Sequence, residues 1–120
     1  MTTLRNRTTG EVLAQRVEFA QNPLERVIGL LPRTRIEPDE GLWFDRCAAV
    51  HTLGMRVLVD LIFLDAQLRV VRVEHAVRPG RPLIWCRDAA SVLEMGHGFL
   101  ARRDVLVGDL LAFDEPMMAA

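Results

Sequence analysis

The run VLVDLIFL at residues 57–64 constrains the fold of this chain more than any other stretch. Its length and its apolar residues, interrupted by one Asp, suit a strand. Alternate side chains of a strand point to opposite faces, so Asp60 shares its face with Leu58, Ile62 and Leu64. The other face is also apolar. We therefore expect a strand that is covered on both sides.

Further short strands are predicted from alternating apolar residues and turn signals. They lie at residues 2–6, 12–19, 47–51, 68–75 and 91–95, and within 107–113. The first two form a hairpin across the turn RTTG, and the run 57–64 forms another with 68–75 across DAQ. Two short helices complete the pattern. One starts at the cap Asn22 and ends near Leu31, and the other lies within GHGFLARRD, residues 96–104.

This order of elements predicts an α+β fold dominated by antiparallel sheet. At 120 residues the chain fits a small single domain, residues 1–120, with one sizeable core. Residues 114–120 are expected to form a disordered tail.

The charge balance argues against a nucleic-acid partner. All 15 basic residues are Arg, they are balanced by 16 acidic residues, and the net charge is −1. No segment has the roughly 20 apolar residues of a membrane-spanning helix. The N-terminal sequence lacks a secretory signal pattern, so we expect a cytoplasmic protein. In that compartment Cys47 and Cys86 are expected to be reduced.

The polar residues in and beside the apolar run are the first candidates for a site. A buried Asp60 must pair with an Arg or accept hydrogen bonds, for example from the turn HTLGM, residues 51–55. It is either a structural brace or a general base. His51, at the end of strand 47–51, either contacts a ligand or bonds Asp60 or a carbonyl. Thr52 is typical of a turn.

A second carboxylate, Glu94, lies in the strand SVLEM. There it points away from Leu93 and Met95, an orientation that would aim it at the same cleft as Asp60. Paired acids of that kind serve hydrolytic chemistry. The alternative interpretation is a Glu that is exposed or paired with an Arg.

The cysteines and histidines show no standard metal-ligand spacing. Cys47 and His51 lie four residues apart, but zinc would need a third and fourth ligand from distant parts of the chain, such as His75, Cys86 or His97. No metal and no other cofactor is expected.

The order of several motifs resembles that of the domain of unknown function family number 192, also called uncharacterised protein family 0127. The motifs are RVIGLLPR, GLWF, VHTLGMRVLVDLIFLD, RVV, ASVLEMGHG and VGDLLAF, and they span about residues 12–113. The resemblance implies a small β-rich α+β domain, barrel-like or with a strongly bent sheet. It implies no established activity.

Three functional hypotheses follow. The main one is a non-enzymatic domain that binds a small molecule or a partner through a polar cleft lined by His51, Thr52, Asp60 and Glu94, with Arg33 contacting an anionic group. The second is a small hydrolase or isomerase in which a His and a carboxylate act as an acid–base pair. The third is a structural or protein-interaction module that exposes apolar side chains such as Trp43 or Trp85.

Overall fold

The computed structural model describes residues 2–20 and 33–114. Its elements, in chain order, are the strands β1 Thr2–Asn6, β2 Val12–Phe19, β3 Glu40–Asp45, β4 Ala49–Val50, β5 Val59–Leu64, β6 Val70–Val77, β7 Ile84–Trp85 and β8 Ser91–Gly96, the helix α1 Phe99–Arg102, and the strand β9 Leu111–Phe113. In these ranges the chain is mostly β-sheet, as predicted.

Both predicted hairpins are present. β1 pairs with β2, and β5 pairs with β6, each in antiparallel register. The helix predicted within residues 96–104 is α1, and it is the one helix in the described ranges. The helix predicted from Asn22 to Leu31 lies outside the described residues. So does the predicted tail, apart from Asp114, whose backbone N–H donates to the Thr3 carbonyl.

Seven strands form one mixed sheet in the order β6, β5, β8, β3, β2, β1, β9, and β4 pairs with β7 in a second, small sheet. β2 and β3 are parallel, and the other neighbours are antiparallel. The large sheet bends until its edges meet at an isolated bridge between Arg69 and Leu110. The barrel-like form is therefore wrong, because an isolated bridge does not continue the ladder and the sheet stays open.

Apolar side chains pack on both faces of the large sheet. On one face Ile62 of β5 belongs to a cluster with Phe99 of α1. On the other face Phe63 of β5 packs in a cluster with Val50 and Ile84 of the small sheet. All six residues of β5 are buried. The prediction of a strand covered on both sides is confirmed.

A close backbone approach fixes the segment that precedes β3. A Cβ added at Gly96 in β8 would collide with the carbonyl oxygen of Glu37, and it would lie 2.8 Å from that of Ile36. Only a residue without a side chain allows these two backbones to touch. Gly96 therefore holds segment 36–37 directly against β8.

Candidate functional site

Asp60 is buried in β5 and accepts hydrogen bonds from three backbone N–H groups. Oδ1 accepts from Ala76 at 2.8 Å, and Oδ2 accepts from Gly98 at 3.2 Å and from Leu100 at 2.9 Å. Nδ1 of His97, whose side chain is 50% exposed, lies 3.4 Å from Oδ1. His97 is thus the histidine that reaches a predicted site carboxylate, and sequence reasoning considered it only as a metal ligand.

These bonds make Asp60 a brace between β6 and the start of α1. Ala76 has a φ of 51° and lies where the register between β5 and β6 shifts, so its N–H points at the Asp60 carboxylate instead of at a strand. The hydrogen bonds offset the large cost of burying a carboxylate. Burial with hydrogen bonds was expected. The expected partners were wrong, because the donors lie in β6 and at the start of α1 and not in the turn 51–55.

Glu94 points to the opposite face of the large sheet. The register of β5 with β8 sets Asp60 opposite Met95 and Leu61 opposite Glu94. Cross-strand partners share a face, and adjacent positions alternate. The expectation that Asp60 and Glu94 share a cleft is therefore wrong. In this register Glu94 pairs with the residue that follows Asp60, so the two carboxylates point to opposite faces.

Glu94 is buried among apolar residues. It is 5% exposed, and its cross-strand neighbours are Leu42 and Leu61. Within the described ranges its carboxylate makes no hydrogen bond. Removal from water raises the pKa of Glu94 to about 7, because burial disfavours the charged form. The expectation of an exposed or Arg-paired Glu is corrected: Glu94 is a buried carboxyl that accepts a proton near neutral pH.

Thr52 links the turn after β4 to the loop before β7. Its hydroxyl donates to the Arg78 carbonyl at 2.7 Å and accepts from the Arg81 N–H at 2.9 Å. Its own N–H donates to the Arg81 carbonyl at 2.8 Å, and its carbonyl accepts from Gly80 at 2.8 Å. Thr52 is 1% exposed. The turn role predicted for Thr52 is confirmed, and the turn is fastened to residues 78–81.

His51 and Arg33 do not join Asp60. Nδ1 of His51 is buried and has no hydrogen-bond partner among the residues that the structure describes. Arg33 lies before β3, where its Nη2 is 3.1 Å from Oε1 of Glu40. Because Asp60 and Glu94 lie on opposite faces, the five predicted site residues do not line one common cleft.

The side chains considered as metal ligands do not converge either. Across residues 2–20 and 33–114, no three His, Cys, Asp or Glu side chains are grouped closely enough to hold a metal ion. Cys47 and Cys86 are half-buried free thiols, and Sγ of Cys47 donates to the Ala49 carbonyl at 2.9 Å.

A cleft of about 230 Å³ lies between the segment before β3 and α1. It is lined by Leu13, Glu37, Pro38, Asp39, Phe99, Arg102 and Arg103. None of the five predicted site residues contributes to it.

Exposed apolar side chains gather on the loops around the small sheet. Leu53 is 48% exposed, Leu83 64% and Trp85 58%. Leu83 and Trp85 flank the buried Ile84, so both point outward from β7. The bonds of Thr52 hold the turn that carries Leu53 against the loop that leads to Leu83.

The segments that carry these apolar residues also contain arginines without an ion-pair partner in the described residues. Residues 46–59 and 75–87 contain five of the 15 arginines and none of the 16 acidic residues. No ion pair within the described part of the chain involves these five, which are Arg46, Arg56, Arg78, Arg81 and Arg87. We define the loop surface as Leu53, Arg56, Arg78, Arg81, Leu83, Trp85 and Arg87. The absence of acidic residues from both segments is readable in the sequence and would have pointed to this surface.

Comparison with known proteins identifies the family. The model of DUF192, described as Uncharacterized ACR, matches residues 4–113. The chain belongs to the DUF192 family. The UPF0127 protein PF1050 of Pyrococcus furiosus is 32% identical to this DUF192 chain over 112 residues, which cover 91% of this chain and 96% of that one. The resemblance seen in the sequence is therefore confirmed.

Two solved structures are similar to this DUF192 domain. A protein of Sinorhizobium meliloti, described as a "putative transcription regulator", has a TM-score of 0.79 and 26% identity, covering 93% of this chain and 91% of that one. A protein of unknown function from Novosphingobium aromaticivorans has a TM-score of 0.77 and 26% identity, covering 92% and 82%. In the described parts of the DUF192 chain, none of the helical structure has the length and apolar character needed to cross a bilayer.

Proposed function

We propose that this DUF192 protein is a non-catalytic binding domain that docks an acidic segment of a protein partner on the loop surface. The observation that carries the proposal is the exposure of Leu53, Leu83 and Trp85 on two segments that Thr52 and the β4–β7 pairing join, together with arginines on those segments that have no carboxylate partner in the described residues. Apolar patches rimmed by polar residues are typical of interaction sites. Trp and Arg are also among the residues that contribute most binding energy at interfaces.

The charge of the loop surface selects an acidic partner. Its two segments lack Asp and Glu, although the whole chain has a net charge of −1. A local positive potential in such a chain attracts a segment with complementary charge and sets its orientation.

The apolar part of the surface favours a protein segment over a nucleic acid. Bases stack on aromatic rings, and Trp85 is the aromatic residue of the loop surface. Leu53 and Leu83 offer no stacking face but fit apolar side chains of a peptide. The Sinorhizobium meliloti protein described as a "putative transcription regulator" makes a nucleic acid the alternative partner to be tested.

The predicted site residues take indirect roles in this proposal. Thr52 positions the two halves of the loop surface through its bonds to Arg78 and Arg81. Asp60 and Glu94 lie within the packed sheet. The hydrolase or isomerase hypothesis pairs His51 with Asp60 or Glu94, and in the described residues His51 forms no bond to either carboxylate.

Binding is measured by fluorescence anisotropy with a fluorescein-labelled peptide of alternating Glu, Asp and Leu residues. A charge-reversed peptide of Lys, Arg and Leu and a single-stranded oligothymidylate serve as competing probes. We expect saturable binding of the acidic peptide alone. Trp85→Ala should weaken it by about 2 kcal/mol, which is about thirtyfold in Kd.

A matched pair of variants separates the loop surface from general hydrophobicity. Leu83 and Leu106 are 64% and 63% exposed, and only Leu83 belongs to the loop surface. Leu83→Ser should weaken binding, whereas Leu106→Ser should not. Equal losses from both variants would contradict the proposal. If the oligothymidylate binds more tightly than the acidic peptide, the partner is a nucleic acid and not a protein.

A further inference from the structure

The cleft beside α1 has walls of opposite charge above an apolar floor. Glu37 and Asp39 form one wall, and Arg102 and Arg103 form the other. The floor includes Leu13 and Phe99, which are 0% and 1% exposed and belong to the main core. A few charged groups over apolar residues is the usual composition of a small-molecule site.

The acidic wall is held in place by ion pairs and hydrogen bonds. Oδ1 of Asp39 lies 2.7 Å from Nη2 of Arg16. This hydrogen bond lowers the pKa of Asp39, because it favours the charged form. Glu37 is paired with Arg35, and its backbone N–H donates to Glu40. These bonds fix the backbone of the wall.

The basic wall contains one uncommitted donor. Nη1 of Arg103 lies 3.2 Å from Oε2 of Glu11, outside the cleft. Arg102 forms no side-chain hydrogen bond or ion pair with any residue that the structure describes. Its guanidinium is therefore available to an anionic group, which it would bind in the two-pronged geometry typical of Arg and carboxylates.

The volume limits the ligand. The cleft measures about 230 Å³. At about 30 Å³ for each water in the liquid, this corresponds to roughly eight water molecules. A ligand of about that many non-hydrogen atoms fills a cleft of this size.

We infer that this cleft binds a small zwitterion with an apolar side chain, the chemistry of a free aliphatic α-amino acid. The ligand's carboxylate contacts Arg102, its ammonium faces Glu37 and Asp39, and its side chain lies against the half-buried Pro38, above Leu13 and Phe99. A purely anionic ligand such as inorganic phosphate would leave the carboxylates of the opposite wall without a contact to the ligand. The cleft shares no residue with the loop surface, so this inference is independent of the proposed function.

The test uses three ligands of matched shape on the full-length protein. L-leucine carries both charges, 4-methylpentanoate lacks the ammonium, and 3-methylbutylamine lacks the carboxylate. Binding is followed by two-dimensional ¹H–¹⁵N NMR at millimolar ligand. We expect saturable shifts of the amides of residues 37–39 and 99–103 with L-leucine, and binding of the other two at least about tenfold weaker, because each loses a charge-assisted contact.

A pair of arginine variants provides the second readout. Arg102→Gln should weaken L-leucine binding by roughly tenfold or more. Arg7→Gln removes an exposed arginine that does not line the cleft and should leave binding unchanged. The inference is overturned if L-leucine causes no saturable shifts at these amides, if 4-methylpentanoate binds as tightly as L-leucine, or if both arginine variants weaken binding equally. The comparison of the three ligands needs no variant, so it stands even where Arg102→Gln does not fold.

Discussion

The buried carboxyl of Glu94 should make the free energy of unfolding of this domain depend on pH. Glu94→Gln should remove most of that dependence. In the folded protein burial raises the pKa of Glu94 from 4.5 to about 7. The folded state therefore holds this proton more tightly than the unfolded chain. The stabilisation is complete below pH 4.5 and is lost as the pH rises through about 7. At 1.36 kcal/mol for each pKa unit, the loss amounts to about 3 kcal/mol.

The free energy of unfolding is measured by urea titration at intervals from pH 4.5 to pH 8, for the wild type and for Glu94→Gln. The pKa values of Asp39 and Glu40 are lowered, chiefly by the Arg16 guanidinium and by the Glu37 N–H respectively. Their titration is common to both proteins and cancels in the difference. We expect that difference to shift by about 3 kcal/mol in favour of Glu94→Gln as the pH rises. Glu18→Gln, at an exposed position of β2, is the control and should leave the profile unchanged.

Parallel profiles for the wild type and Glu94→Gln would refute this reasoning. They would mean that the Glu94 carboxylate is stabilised in the folded state by a donor or by water that compensates for burial. A difference that shifts in the opposite direction would mean that the charged form is the one favoured by folding.

Three further substitutions test other contacts, each by urea unfolding. Asp60→Ala leaves three N–H groups without their acceptor, one of them buried and two half-buried, and should cost about 3 kcal/mol, whereas Asp88→Ala, at an exposed position, should cost little. Gly96→Ala drives a Cβ into backbone and should cost about 3 kcal/mol, against about 1 kcal/mol for Gly10→Ala, which meets open space at a positive φ. Thr52→Val keeps the shape but removes the hydroxyl bonds, so it should cost about 2 kcal/mol and speed hydrogen exchange of the N–H groups in loop 78–81. Equal costs within either matched pair, or unchanged exchange in Thr52→Val, would contradict these assignments.

The strands were predictable because their signal is local. Alternating apolar residues and turn residues predicted both hairpins. The apolar run 57–64 predicted that β5 is covered on both faces. The same periodicity correctly turned Glu94 away from Leu93 and Met95. It could not show that Glu94 and Asp60 lie on opposite faces, because the register between β5 and β8 is set by packing between segments distant in sequence.

The partners of the polar residues were not predictable for a related reason. Asp60 was expected to need hydrogen-bond donors, and that requirement follows from burial alone. Which donors satisfy it depends on a bulge in β6 and on the start of α1. The barrel-like expectation failed similarly, since closure depends on whether the two edge strands pair along their length. The charge pattern of the loop surface, in contrast, can be read from the sequence, because its two segments contain arginines and no acidic residues.

The hydrogen bonds of Asp60 also bear on folding kinetics. The bond from Ala76 spans 16 positions and needs only β5 and β6, whereas the bond from Leu100 spans 40 positions and needs α1 as well. Interactions that form after the transition state affect the unfolding rate more than the folding rate. We predict that the bond from Leu100 forms after the transition state, so that Asp60 affects mainly how long the native state persists. Its removal would shorten the lifetime of the folded domain while leaving the rate of folding nearly unchanged.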